Sequence, residues 1–227
     1  MSILDVTLEK LAVEIPGATE ILYRFKLDYK QHHSLPLRDA ITEYRADKQS
    51  VIEEFERLEI RGKIRPDFSQ YSEKDLVLYI VTHYHNVHRK QLPELIRLAS
   101  TVEKEWGHDP LCPVGLSQCI RNILEDTLAH MDKEEKTLFP MIIQSNWDMA
   151  ANCMAIFQFE HGEHVRSLKK LQRSAHNFQL PTNACSHWKA LYMGLQAFIT
   201  TMRDHIHLED TTLFARMPDY LSLSSRS

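Results

Sequence analysis

Six side chains in this chain have the types and spacing of a dinuclear metal site: His85, His130, Glu134, His161, His205 and Glu209. His130/Glu134 and His205/Glu209 are each four residues apart. On a helix such pairs share one face, so each presents a ring nitrogen and a carboxylate to the same side. The segments HNVH around His85 and FEHGEH around His161 bring one further histidine each from two other helical stretches. Four histidines and two bridging carboxylates give enough donors for two four-coordinate ions. An oxo or hydroxo bridge would raise each ion to five and leave an open position for a small ligand.

A lone inward histidine is ordinarily a core residue whose hydrogen bonds are satisfied, and on its own would mean little. Inward glutamates are different, because burying an unpaired carboxylate is costly. Glu134 and Glu209 on opposed helices would also repel each other if both ionised in a dry interior. Cations between them resolve both problems. Without metal they would need Lys or Arg partners. Lys133 and Lys136 lie off this face, which leaves Arg203 or Arg216 from elsewhere in the chain. Nitrogen and oxygen donors without thiolate suit iron, manganese or zinc, and the open position favours a redox-capable iron pair. His88 and His164 lie about one turn further along the same faces, as alternate ligands, partners to ligands, or plain packing.

The elements that must position these groups are helical. Residues 1–65 read as short helices: Thr7 caps a turn beginning LEKLA, Pro16 opens ATEILYRF, and Pro36 opens a third helix through about Tyr44. KQSVIEEFERLEI over about 48–60 is a stronger amphipathic helix, with Val51, Ile52, Phe55 and Leu58 on its apolar face. Gly62 and Pro66 then mark residues 61–71 as a linker. Ser72, with Asp75 three residues on, caps a helix whose stripe is Leu78, Val81, His85, His88, Leu92 and Leu95, with a bend expected at Pro93. After the WGHDPLCPVG loop, the next helix carries Leu116, Ile123, Thr127, His130 and Glu134. A third, about 147–175, carries Met154, Phe157, His161, His164, Leu168 and Leu171. A fourth, about 184–216, carries Leu191, Leu195, Phe198, Met202, His205, Glu209 and Thr212. Steps of three and four with short connections give an all-α, up-down-up-down four-helix bundle over 72–220, behind a small N-terminal helical domain.

Composition excludes several classes. The 227 residues carry a net charge of −4 with scattered basic residues, so no basic stripe for nucleic acid is visible. No window approaches a membrane span and the N-terminus lacks a signal-peptide pattern, so a cytoplasmic location is expected. Cys112, Cys119, Cys153 and Cys185 are far apart and lack zinc-knuckle spacing, so reduced thiols are expected rather than disulfides.

The stretches HYHNVHRKQLPELI, HMDKEEKTLFPMI, FEHGEHVRSL, CSHWKALYMGL and MRDHIHLEDTTLF resemble hemerythrin-like domains. More specifically they resemble the bacterial di-iron family that repairs iron–sulfur clusters. LAVEIPGATEILYRFKLDY resembles that family's small N-terminal domain, so the resemblance covers nearly the whole chain. It implies a non-haem di-iron centre bridged by Glu134 and Glu209, with His85, His130, His161 and His205 as terminal ligands. It also implies recovery of iron–sulfur enzymes after nitric oxide or oxidative stress, by iron donation or nitric oxide handling, and a homodimer. Two departures stand out. Lys30 and Gln31 occupy the positions of the family's adjacent cysteines, with the pair His32 and His33 following. Trp106 stands where the family offers another histidine, and His108 is the nearest replacement. That would leave one iron more open to nitric oxide.

Three classes of function are therefore in play: a di-iron stress-response protein acting on damaged iron–sulfur proteins, a non-catalytic module that binds or senses oxygen, nitric oxide or iron, and an interaction protein whose bundle has lost its metal.

Overall fold

The computed structural model describes residues 2–15, 17–29, 31–32, 34–63 and 67–216. They are helical throughout, with no strand among them beyond an isolated bridge between Thr7 and Pro36. Four N-terminal helices, α1 (Leu8–Glu14), α2 (Ala18–Arg24), α3 (Leu37–Glu43) and α4 (Lys48–Lys63), enclose a core of their own that includes Leu8, Leu11, Leu22, Leu37, Val51 and Phe55. Thr7 caps α1 by accepting the Lys10 N–H. Pro36 stands at the N-cap of α3. Of the positions singled out in the sequence, Pro16, Lys30, His33 and Pro66 lie outside the described residues.

Four long rods follow. The first is made of Glu73–Ile80, Val81–His85 and Asn86–Trp106; the second of Leu116–Lys133, Glu134–Leu138 and Phe139–Ile143. The third is Trp147–Ser174, and the fourth combines Ser186–Leu208 with Glu209–Leu213 and a last turn, Phe214–Arg216. Ser72 caps the first rod, accepting the Asp75 N–H at 3.2 Å and donating its hydroxyl to Asp75 Oδ2 at 2.6 Å. Arg216, at the end of the fourth rod, closes the same end, donating to the carbonyls of Phe68 and Tyr71. The first rod runs unbroken through Pro93. No described helix is long and apolar enough to cross a membrane.

Val81–His85, Glu134–Leu138 and Glu209–Leu213 are single π-helical turns. Each holds one residue more than an α-turn, which rotates everything on one side of it by about a quarter-turn. This corrects the stripe read from the first rod. Leu78 is 61 % exposed, and Leu76, Val77 and Ile80 face inward in its place. A regular three-and-four pattern is broken where the π-turn intervenes.

The bundle interior has two apolar regions. One, in the half near the rod 2–rod 3 connection, gathers Leu76, Ile80, Leu138, Phe139, Phe157, Leu213 and Phe214. The other, in the opposite half, gathers Leu92, Leu95, Leu98, Leu116, Leu168, Trp188, Leu191 and Phe198. Each fully buried Leu or Phe contributes roughly 1.5–3 kcal/mol over an exposed one. The layer between them contains the polar groups.

Candidate metal centre

All six residues singled out for metal chemistry meet in that layer, and all are buried. They form two overlapping groups of donors. One joins His85, Glu134, His205 and Glu209; the other joins His130, Glu134, His161 and Glu209, with donor atoms in each within 4.8 Å of one another. The two glutamates belong to both groups and divide their oxygens between them. Glu134 Oε2 lies 3.5 Å from His85 Nε2, while its Oε1 lies 3.3 Å from His130 Nε2. Glu209 Oε1 lies 3.0 Å from His205 Nε2, while its Oε2 lies 3.2 Å from His161 Nε2.

The π-turns produce this arrangement locally. Glu134 and Glu209 are the first residues of their π-turns, and His85 is the last of its own. The extra residue lets Glu134 and Glu135 serve different partners. Glu134 faces the donor groups, and Glu135 Oε1 accepts from His85 Nδ1 at 2.7 Å. The pattern repeats around the bundle. His130 Nδ1 donates to Glu160 at 2.9 Å, and His161 Nδ1 donates to Asp210 at 2.9 Å. Each of these carboxylates is the chain neighbour of a donor on the adjacent rod. Arg89 pairs with Glu135 at 2.8 Å and Lys133 pairs with Glu160, fixing two of them in turn.

The fourth histidine departs from this pattern. His205 Nδ1 is buried with no hydrogen-bond partner among the described residues. By the same logic its neighbour is Tyr84, beside His85, and the Tyr84 ring stacks on His205 with centroids 5.1 Å apart.

These contacts fix the chemistry. An imidazole that donates through Nδ1 carries a lone pair on Nε2 when neutral. His130 and His161 both donate in this way, yet their Nε2 atoms face each other at 3.1 Å. His85 Nε2 faces His205 Nε2 at the same separation. Both oxygens of Glu134 and Oε2 of Glu209 are buried without a hydrogen-bond partner among the described residues. Lone pairs and carboxylates converging in a dry layer need positive charge at their centre. Burial pushes His161 down, but Asp210, Glu134 and Glu209 outweigh it and lift the ring to about 11. His85 and His130 are likewise raised by their carboxylates against the effect of burial. Burial and mutual repulsion push Glu134 up, yet the surrounding histidines hold it below the ordinary carboxylate range; Glu209 is held well below it. The groups are suited to two cations, and no guanidinium or ammonium among the described residues takes that role. Arg216 is spent on backbone carbonyls, Lys133 and Lys136 on Glu160 and Asp132.

His88 and His164 are buried beside the donors but join neither group. His88 packs edge-on to Phe198 at 5.4 Å, and burial holds its ring well below the usual histidine range. His164 lies 4.8 Å from the His130 ring, and burial lowers it to about 4. Both stay neutral and shape the wall.

The expectation for Trp106 is corrected. Its indole packs against Trp188 at 5.8 Å, and the His108 ring lies parallel to it. Trp106 is 21 residues beyond His85 on one rod, roughly 31 Å at the helical rise. Neither Trp106 nor His108 reaches the centre, so no donor is lost there.

Sequence reasoning missed Glu135, Glu160 and Asp210. Their signal was an acidic residue beside a donor in KEEK, FEHG and HLED.

A four-helix bundle with paired histidine and bridging carboxylate donors is the construction of a hemerythrin-type cation-binding protein. Residues 76–217 match the hemerythrin HHE cation binding domain, and the chain belongs to that family. It is similar along nearly its full length to proteins called iron-sulfur cluster repair protein YtfE. The protein of that name from Dickeya chrysanthemi is 34 % identical over 212 residues, covering 93 % of this chain and 96 % of the relative. That from Yersinia pseudotuberculosis is 34 % identical over 210 residues, covering 92 % and 95 %.

Proposed function

We propose that this chain repairs iron–sulfur clusters damaged by nitric oxide or oxidative stress, using two non-haem irons with an oxo or hydroxo bridge. His85 and His205 would hold one ion, His130 and His161 the other, and Glu134 and Glu209 would span both. Residues 1–65 would form a separate helical domain and 72–220 the di-iron bundle. When bound, the iron pair supplies redox chemistry, an open position for nitric oxide or oxygen, and iron that can be passed on. The protein supplies the rest. The braced imidazoles keep their Nε2 lone pairs aimed inward, the carboxylates neutralise the ions, and the two apolar regions exclude water. Its partners would be damaged iron–sulfur proteins, in the cytoplasm, and a homodimer is a compatible assembly.

The observation that supports this reading best is the division of the Glu134 and Glu209 oxygens between the two donor groups. One carboxylate oxygen per group is the arrangement for a pair of ions, not for one. The relatives' shared name supplies the biological direction.

The test is iron content per chain, followed by recovery of a nitric-oxide-treated iron–sulfur enzyme with and without the protein. About two irons per chain, together with recovery that fails in Glu134→Gln, would support the proposal. Reversible binding of nitric oxide or oxygen without any recovery would favour a sensing module. A chain that takes up no iron even when loaded anaerobically would overturn the metal reading.

A further inference from the structure

A second cluster of donors lies at the other end of the bundle. Glu105, at the end of the first rod, meets Cys185 and His187 at the start of the fourth, with one donor atom from each within 4.8 Å of the others. His187 is 18 residues before His205 on the same rod, roughly 27 Å at the helical rise. None of the three residues takes part in the centre described above.

From these residues we infer a third metal site, for a single divalent ion of borderline softness such as zinc, ferrous iron or cobalt. A thiolate, an imidazole and a carboxylate together suit such ions, whereas calcium and magnesium take oxygen donors alone. Three protein donors with a fourth position open to water or to an incoming ligand is the arrangement of exchangeable rather than purely structural sites. Around a tetrahedral ion with the usual bond lengths the donors stand roughly 3.5 Å apart, a spacing that small side-chain rotations reach from donors already within 4.8 Å of one another. Cys185 is the N-cap of its rod in extended conformation and His187 lies in the first turn. Both donors therefore sit on a well-anchored helix start, and Glu105 comes from another rod.

The surroundings place this site at the seam with the N-terminal helices. Tyr29, buried, meets the His187 ring edge-on at 5.2 Å. Ser186, between the two donors, donates its hydroxyl to Glu9 of α1 at 2.7 Å. An ion here would therefore fasten the start of the fourth rod at the place where the N-terminal helices dock.

The experiment is titration of cobalt(II) into the iron-loaded full chain, following cobalt and iron per chain together with the near-ultraviolet spectrum. One further equivalent of cobalt, with a sulfur-to-cobalt charge-transfer band and unchanged iron, is the expected result. Cys185→Ser should remove the band, and its serine remains a good N-cap, so the helix start is preserved. His187→Gln should weaken cobalt binding by about tenfold or more. A wild-type chain without the band would overturn the inference, as would a band that survives Cys185→Ser. The two dinuclear donor groups contain no sulfur, so the readout is independent of whether the iron reading holds.

Discussion

His161 Nδ1 lies 2.9 Å from Oδ1 of Asp210, the residue that follows Glu209. One π-turn thus supplies both a carboxylate shared by the two candidate donor groups and the acceptor that orients a histidine from the neighbouring rod. The same relationship links His85 to Glu135 beside Glu134. His130 and Glu160 repeat it without a π-turn, since Glu160 precedes His161 in an ordinary helix.

Neutralising these acceptors should weaken metal retention without unfolding the bundle. Asp210→Asn, Glu160→Gln and Glu135→Gln are each expected to lower metal affinity by about 10- to 100-fold, read by competition with a chelator. An unchanged affinity in all three would show that the imidazoles are oriented by packing alone.

The two ions should not load equally. His130 and His161 are both braced through Nδ1, whereas in the other group only His85 is, and His205 Nδ1 has no partner. Stepwise titration with ferrous iron is expected to show two events, with the His130/His161 group filling first. His205→Ala should remove the weaker event and spare the tighter one. Loss of the tighter event instead would reverse the assignment.

The metal-free protein should lose stability as pH rises. His161 titrates near 11 when folded against an ordinary 6.5, and His85 and His130 are also raised. A group whose folded pKa is raised contributes stability fully below its unfolded pKa and loses it as pH climbs through the folded one. The melting midpoint of chelator-stripped protein should therefore fall from pH 6.5 upward. Glu134 and Glu209, held low, contribute above the ordinary carboxylate range and lose that contribution in acid. Metal loading should reverse the alkaline trend, because ions compete with the same protons. A midpoint of the stripped protein that rises with pH above 6.5 would contradict this sign.

Gly115 begins the second rod at φ 89°, with open space where a Cβ would point. The only penalty for Gly115→Ala is therefore the left-handed backbone, roughly 1–2 kcal/mol, or roughly 2–8 °C of melting midpoint for a chain of this size. Calorimetry on the loaded protein checks it.

Much of this was legible in the residues. The stripes of the last three rods, the Ser72 cap and the convergence of the six candidate donors are legible in the spacing, because a helix face repeats every three to four residues. Leu78 was misplaced because the π-turn at Val81–His85 leaves no mark in a hydrophobic pattern; it is decided by what the donors require in three dimensions. Trp106 was misassigned because resemblance gives an aligned position, while only the length of the rod shows how far that position lies from His85. The Glu105, Cys185 and His187 cluster was invisible because Glu105 stands 80 residues before Cys185 and no helix-face repeat links the three.

The braces also bear on how the bundle comes apart. Each of the first three rods is tied to the next through a histidine that belongs to one rod and a carboxylate that belongs to the following one. Tilting the second or third rod away breaks two such ties together, and it also opens a donor group. Tilting the fourth breaks only one tie, since His205 is merely stacked on Tyr84. The ring of carboxylate–histidine ties is thus open at one interface, between the first and last rods, where the Tyr84–His205 stack and side-chain packing hold the two together instead.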